Sequence, residues 1–148
     1  MKKFNFPLQK VLEYNIHMQK KEKDILAILR SEYIQLENQL ENLKKTHELY
    51  IQKYLKSSRE GINITAITFI LRYIKDLEKQ IKLLHKKMTD KQMQIDKQIE
   101  RLIEISKEKV TVEKLKDSKL EKYKAAERKN EELFIDELIS FSSSIINI

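Results

Sequence analysis

The sequence predicts an all-α protein: an antiparallel two-helix coiled-coil hairpin whose second helix is longer than the first. Its 148 residues include one glycine and one proline, where average usage gives roughly 10 and 7. Charged residues make up 36% of the chain, and apolar residues recur at alternating intervals of three and four. Sheet folds need glycine and proline for their turns, so the composition excludes a sandwich, a barrel and a doubly wound sheet.

The first helix is predicted from about residue 7 to residue 56. Asn5 can cap its start, and Pro7 is tolerated in a first helical turn. Its apolar residues recur at heptad spacing from residue 26 to residue 54. Before residue 26, this spacing passes through Leu8 and Leu12 and then through three polar residues. The heptad positions are Leu26, Leu29, Tyr33, Leu36, Leu40, Leu43, His47, Tyr50 and Tyr54, and the polar ones before them are Asn15, Gln19 and Glu22.

The turn is predicted at about residues 57–63, which contain the only glycine, Gly61. Asn63 or Thr65 can cap the second helix, which is expected over about 64–140 and followed by a frayed tail at 141–148. We expect one domain, 1–148, in which residues 33–54 face residues 67–88. The heptad positions of the second helix begin with Ile67, Ile70, Ile74, Leu77, Ile81, Leu84 and Met88, and later include Lys109, Lys116 and Lys119.

Catalytic residues, cofactors and metal sites are not expected. A phosphate-binding loop needs several glycines, and His17, His47 and His85 are too far apart for a helical metal pair. His47 occupies a heptad position, so we interpret it as a packed polar residue. The absence of cysteine excludes disulfides and thiolate metal sites.

The formal net charge is +7, but acids are interspersed among most of the bases. This pattern is typical of solvated helix faces and argues against nucleic-acid binding; a basic face that docks on an acidic protein is the other interpretation. The most apolar window, residues 62–71, is too short to span a bilayer. We therefore expect a soluble, cytoplasmic protein without membrane insertion.

Two apolar groups are expected to lack an intramolecular partner at the end of the hairpin far from the turn. One is Phe4 with Phe6. The other consists of Leu133, Phe134, Ile135, Leu138, Ile139 and Phe141. Exposed apolar clusters are candidate contact surfaces, either for another protein or for a second copy.

Three segments resemble the flagellar export protein FliJ family, and together they cover nearly the whole chain in layout. They are Phe4-x-Phe6-x-Leu8-Gln9-Lys10-Val11-Leu12, then Tyr73-Ile74-Lys75-Asp76-Leu77-Glu78-Lys79-Gln80-Ile81, and Glu113-Lys114-Leu115-Lys116-Asp117-x-x-Leu120-Glu121-x-Tyr123. The resemblance implies a non-enzymatic coiled coil, similar to the stalk of rotary ATP synthases, in the type III export apparatus of the bacterial flagellum. It links the chain to flagellum biogenesis, motility and chemotaxis.

The resemblance also implies partners: the hexameric export ATPase FliI, the export gate protein FlhA and flagellar substrate chaperones. Association with the cytoplasmic face of the membrane would then be peripheral, through these partners. The expected ATPase-binding residues are Phe4, Phe6, Leu8, Lys10, Val11, Lys119, Lys122 and Arg128. The expected gate-binding residues are Gln39, Leu43, Tyr50, Tyr73 and Leu77, of which Leu43, Tyr50 and Leu77 also occupy heptad positions.

Three alternatives remain open at this point. The stalk of an injectisome-type secretion system has the same architecture. A self-dimerising coiled-coil scaffold would pair its heptad positions between chains. A helical nucleic-acid-binding protein would bind DNA or RNA with a steep salt dependence.

Overall fold

The computed structural model describes residues 2–61 and 63–146, and within them the chain forms two helices and no strand. Helix α1 spans Gln9–Glu60 and helix α2 spans Ile64–Ile146, so the second is longer by 31 residues (83 against 52). Contacts between them run in opposite directions along the two helices: Glu22 bonds to Gln98, and His47 bonds to Glu78. The prediction of an antiparallel helical hairpin is confirmed.

The helix bounds differ from the predicted ones at three places. Helix α1 begins at Gln9, because residues before it form a turn in which the Gln9 N–H donates to the Phe6 carbonyl over 3.0 Å. It then continues through residues 57–60, where the sequence predicted the turn. Helix α2 continues through residues 141–146, where a frayed tail was expected. Residues 147 and 148 of that tail lie outside the described residues.

The turn depends on Gly61 and Asn63. Gly61 has φ of +68°, a left-handed conformation that glycine adopts without a steric penalty and that commonly ends helices. The Asn63 side-chain oxygen accepts from the Thr65 N–H over 3.1 Å, and its carbonyl accepts from the Ala66 N–H over 3.0 Å. Of the two predicted caps, Asn63 and Thr65, it is Asn63 that caps the second helix.

The chain divides into two compact units. Unit 1 consists of Met1–Lys20 and Ile103–Ile148, and unit 2 consists of Lys21–Leu102. Each unit contains a segment of each helix. The expectation of one domain over 1–148 stays a prediction.

The heptad positions of unit 2 form its core. All nine predicted positions of α1 from Leu26 to Tyr54 are buried or half-buried, as are the predicted positions of α2 in this unit. Among the described residues, Leu77 is the most enclosed apolar side chain, at 2% exposure. His47 is half-buried and its Nε2 lies 3.2 Å from Glu78 Oε1. This contact agrees with its interpretation as a packed polar residue.

Glu22 is buried in unit 2 at 2% exposure, and its carboxylate has two partners on α2. The Gln98 amide donates to that carboxylate and also to the Glu22 carbonyl, the latter over 3.0 Å. Arg101 Nε lies 3.2 Å from Glu22 Oε1. A buried charge needs such compensation, so this heptad position is polar and yet fully packed.

Candidate functional site

The segment before α1 packs against α2 in unit 1. Phe6 is buried at 4% exposure, and the half-buried Phe4 ring lies 5.4 Å from that of Tyr123, at an interplanar angle of 52°. This tilted geometry is a favourable one for two aromatic rings. The expectation that Phe4 and Phe6 lack an intramolecular partner is wrong, because heptad spacing on α1 says nothing about a segment outside the helix.

The Tyr123 hydroxyl contacts the same N-terminal segment at Lys2. It lies within hydrogen-bonding distance of the Lys2 carbonyl and, at 2.7 Å, of Glu127 Oε1; its one proton is donated to one acceptor at a time. The hydrogen bond to Glu127 raises the pKa of Tyr123, and partial desolvation and the negative charge of Glu127 raise it further. The site therefore favours the neutral phenol.

Polar heptad positions also lie inside unit 1, and Gln19 and Lys109 are hydrogen-bonded there. Asn15 is buried at 6% exposure. Gln19 donates to Ser106 Oγ over 3.0 Å and accepts from Lys109 Nζ over 2.9 Å. Lys109 also lies 3.7 Å from Glu113. The two helices of this unit are therefore joined by hydrogen bonds between polar side chains, as they are at Glu22 in unit 2.

Beyond Tyr123 the apolar side chains of α2 are uncovered within the described part of the chain. A groove of about 720 Å³ runs along the helix here, between Lys2 and Ile135. The six predicted apolar residues are each at least half exposed, as are two more that follow them. The exposed residues are Leu133, Phe134, Ile135, Leu138, Ile139, Phe141, Ile145 and Ile146.

The predicted ATPase-binding residues all lie in unit 1, but their exposure differs. Phe6 is buried and Phe4 is half-buried, so their aromatic surface is largely used within the chain. Leu8 and Val11 are exposed at 37% and 44%. The four basic residues Lys10, Lys119, Lys122 and Arg128 are exposed. Their role in binding stays a prediction.

Lys119 was also predicted to occupy a heptad position, and this prediction is wrong. The half-buried positions after Lys116 are Leu120, Tyr123 and Glu127, so the packed face moves by one residue and Lys119 faces solvent. Because Leu120 takes the packed position predicted for Lys119, the cost of desolvating a lysine ammonium group is avoided.

The predicted gate-binding residues all lie in unit 2. Leu77 is buried, Leu43 is half-buried, and of the five only Gln39 is exposed. The half-buried rings of Tyr50 and Tyr73 lie 4.4 Å apart at 54°, and Lys53 Nζ sits 4.7 Å from the Tyr50 ring centroid. Most of this patch contributes to helix packing, and its role in binding stays a prediction.

Two features of the sites were missed in the sequence. Glu127 was not singled out, although it lies four residues after Tyr123, the spacing at which helical side chains meet. The pairing of Glu22 with Gln98 was not inferred, although both occupy heptad positions. Within residues 2–61 and 63–146, no three acidic or histidine side chains are grouped to hold a metal, and no helix is long and apolar enough to cross a membrane.

Two long helices packed antiparallel, with an apolar face of the longer helix exposed, define the class of helical coiled-coil hairpins. The family model described as "Flagellar FliJ protein" matches residues 4–144. The chain therefore belongs to the FliJ family, and so is a component of flagellar type III protein export. Neither a curated protein nor a solved structure gave a significant match.

Proposed function

We propose that this chain binds the flagellar export ATPase FliI through unit 1 and promotes its assembly and activity. The observation that carries the proposal is the exposed apolar face of α2 at residues 133–146. Exposed bases lie on the same helix at Lys119, Lys122 and Arg128. Apolar packing would supply affinity, and the bases would steer the encounter with an acidic surface.

The proposed mechanism is structural. Two helices of unequal length placed within a symmetric ring of ATPase subunits contact each subunit differently. A ligand shifts an equilibrium by its differential affinity for the two states. Unequal contacts would therefore bias the nucleotide states of the subunits without any chemistry by this chain.

We also propose contacts with the export gate protein FlhA, through Gln39 and the Tyr50–Tyr73 pair, and with substrate chaperones. The chain would then work in the cytoplasm, held peripherally at the membrane by these partners. The support is that Gln39 is exposed in unit 2 and that the paired rings of Tyr50 and Tyr73 are only half-buried there.

The ATPase contact is tested with two phenylalanines that are both exposed. Phe134 lies in unit 1 at 60% exposure, and Phe69 lies in unit 2 at 74%. We expect Phe134→Asp to weaken binding to FliI at least tenfold and to abolish stimulation of ATP hydrolysis, since an apolar anchor becomes charged. Phe69→Asp should leave both unchanged.

Sedimentation velocity of the mixture and a steady-state hydrolysis assay supply the measurements. Equal effects of the two substitutions would contradict the assignment to unit 1. If the unmodified chain in stoichiometric amount changed neither the oligomeric state nor the hydrolysis rate of FliI, the proposed function would be wrong.

The gate contact is tested with Gln39→Arg, and Gln94→Arg is the matched control because Gln94 is also exposed in unit 2. Calorimetric titration with the cytoplasmic part of FlhA should show weaker binding for Gln39→Arg alone. Unchanged binding in both variants would remove Gln39 from the patch.

A further inference from the structure

Buried apolar side chains are divided unequally between the two units. Within residues 2–61 and 63–146, unit 1 has two of them, Phe6 and Leu12, and α2 has no buried residue between 103 and 146. The buried apolar residues of unit 2 lie on both helices and are Leu26, Leu40, Ile74, Leu77, Leu84 and Ile95. Burial stabilises a fold in proportion to the apolar area removed from water. This contribution is therefore smaller in unit 1 than in unit 2.

Hydrogen bonds between half-buried side chains join α1 to α2 in unit 1. Gln19 donates to Ser106 Oγ over 3.0 Å and accepts from Lys109 Nζ over 2.9 Å. All three side chains are partly exposed to solvent. When the helices separate, water replaces each protein partner, so the net contribution of these hydrogen bonds to stability is small.

The segment before α1 is attached to α2 at few points. Among residues 2–8 only Phe6 is buried and only Phe4 is half-buried. Phe4 contacts the Tyr123 ring, and the Lys2 carbonyl lies within hydrogen-bonding distance of the Tyr123 hydroxyl. Within the described part of the chain, no backbone hydrogen bond joins residues 2–8 to α2. Separating this segment from α2 therefore breaks few contacts.

Proteins open locally in cooperative units, and the units with the fewest buried apolar contacts open at the lowest free energy. We propose that unit 1 opens on its own, as a conformational device built into the hairpin. In the open form, the segment before α1 and the first turns of α1 leave α2, while the core of unit 2 stays closed. The proposal concerns the chain alone and does not rest on ATPase binding.

The opening changes which side chains of α2 are accessible. Leu120 and Tyr123 are half-buried in the closed form, and they are uncovered when Phe4 and α1 leave. Tyr123, Glu127 and Phe134 follow one another at intervals of four and seven residues, so they share one face of the helix. The apolar face that is exposed at Phe134 in the closed form therefore reaches back to Leu120 in the open form.

Hydrogen exchange of the backbone amides is the first test. A helix without a partner is marginal in water, so the amides of unit 1 lose protection in the open form. We expect protection factors in residues 9–20 and 103–120 to be about tenfold or more below those in residues 26–50 and 74–95. Mass spectrometry of peptides from these four ranges, under conditions where exchange measures the opening equilibrium, supplies the comparison.

A substitution in unit 2 tests whether the opening is independent. Leu84 is buried at 6% exposure, and it stays packed when only unit 1 is open. Leu84→Ala therefore destabilises the closed form and the open form equally, so exchange in unit 1 should change less than about twofold. Exchange in unit 2 should rise about thirtyfold or more, because those amides exchange only when its core unfolds. Should Leu84→Ala not fold, Ile95→Val makes the same comparison with a smaller rise.

Thiol labelling tests the opening with two matched leucines of α1. Leu12 in unit 1 and Leu26 in unit 2 are both buried, at 5% and 7% exposure, and the chain has no cysteine of its own. Each leucine is replaced in turn by cysteine, and the rate of alkylation is measured on the folded chain. We expect Leu12→Cys to react about tenfold or more faster than Leu26→Cys.

Equal protection of the two units would overturn the proposal. So would an increase in exchange that is as large in unit 1 as in unit 2 when Leu84 is truncated, because the chain would then unfold as one cooperative unit. Equal alkylation rates of the two cysteine variants would exclude an opening that is confined to unit 1.

Discussion

The rings of Phe4 and Tyr123 pack in a tilted arrangement with their centroids 5.4 Å apart, and this contact joins the segment before α1 to the second half of α2. Glu127, one turn further along α2, accepts from the Tyr123 hydroxyl. The N-terminal segment thus contacts Tyr123 twice, through the Phe4 ring and through the Lys2 carbonyl, which lies within hydrogen-bonding distance of the hydroxyl. This arrangement leaves the residues of α2 beyond it uncovered.

The first prediction concerns the ionisation of Tyr123. We expect its phenol to lose a proton at a higher pH than an ordinary tyrosine, because the Glu127 carboxylate stabilises the protonated form and raises the pKa. The measurement is the phenolate absorbance during an alkaline titration of the chain and of Tyr123→Phe. The difference between the two curves reports Tyr123 alone.

The sign of the stability change follows from the direction of this shift. A pKa raised in the folded state stabilises the fold fully below the unfolded tyrosine pKa of about 10, and this contribution disappears as the pH rises through the folded pKa. Glu127→Gln removes the negative charge, so the pKa of Tyr123 should fall. A Tyr123 titration identical in the chain and in Glu127→Gln would contradict the assignment.

The second prediction concerns the core of unit 2. Leu77→Ala should lower the free energy of unfolding by about 2–5 kcal/mol, because it leaves a cavity in place of a fully packed side chain. Leu83 lies on the same helix but is 55% exposed, and Leu83→Ala should cost less than about 1 kcal/mol. Urea unfolding of the two variants supplies the comparison, and similar midpoints would place Leu77 outside the core.

The third prediction concerns the buried carboxylate of Glu22. Gln98→Leu removes an amide that donates to Glu22 twice, so it should lower the free energy of unfolding by about 1–3 kcal/mol. In the double variant Glu22→Leu with Gln98→Leu, the uncompensated charge is gone and stability should return to near the original value.

This recovery is the specific outcome to measure, by thermal or urea unfolding of the two single variants and the double one. Arg101, whose side chain is 62% exposed, can be solvated when its partner is removed. Effects of the two substitutions that simply add would contradict a direct interaction between Glu22 and Gln98.

The fourth prediction concerns the turn. Gly61→Ala should lower the free energy of unfolding by about 1–2 kcal/mol, because φ of +68° is strained for a residue with a Cβ atom. Apart from its chain neighbours, no described residue has an atom within 4 Å of the added Cβ, so the effect would come from the backbone alone. Gly61→Asn should cost less, since asparagine tolerates this conformation better. A loss that is equal for both would point to a cause other than φ.

Much of the fold could be predicted because heptad spacing is a property of neighbouring residues along the chain. The alternation of threes and fours from Leu26 to Tyr54 placed one face of α1 in the core, and Asn63 marked the start of α2. The exposed group from Leu133 to Phe141 was also predicted, since no helix of comparable spacing remained to cover it. These inferences needed only the period of the helix.

The placement of individual side chains in unit 1 depended on contacts between distant parts of the chain. Phe4 and Phe6 lie outside α1, so no periodicity assigns them a neighbour. The packing of Phe4 depends on the position of Tyr123. In the same unit, Leu120 rather than Lys119 lies on the packed face of α2. This shift of the packed face by one residue avoids burying an ammonium group.

The sequence by itself thus determined two helices, their antiparallel order, the position of the turn near Gly61 and the apolar character of the last turns of α2. Only the tertiary structure decided that Glu22 is buried with Gln98 and Arg101, and that Tyr123 binds the N-terminal segment. The physical reason is the distance along the chain between the residues that interact. Helix periodicity and capping are set by residues within a few positions of one another, whereas these contacts join residues far apart in the chain, whose meeting depends on the packing of both helices.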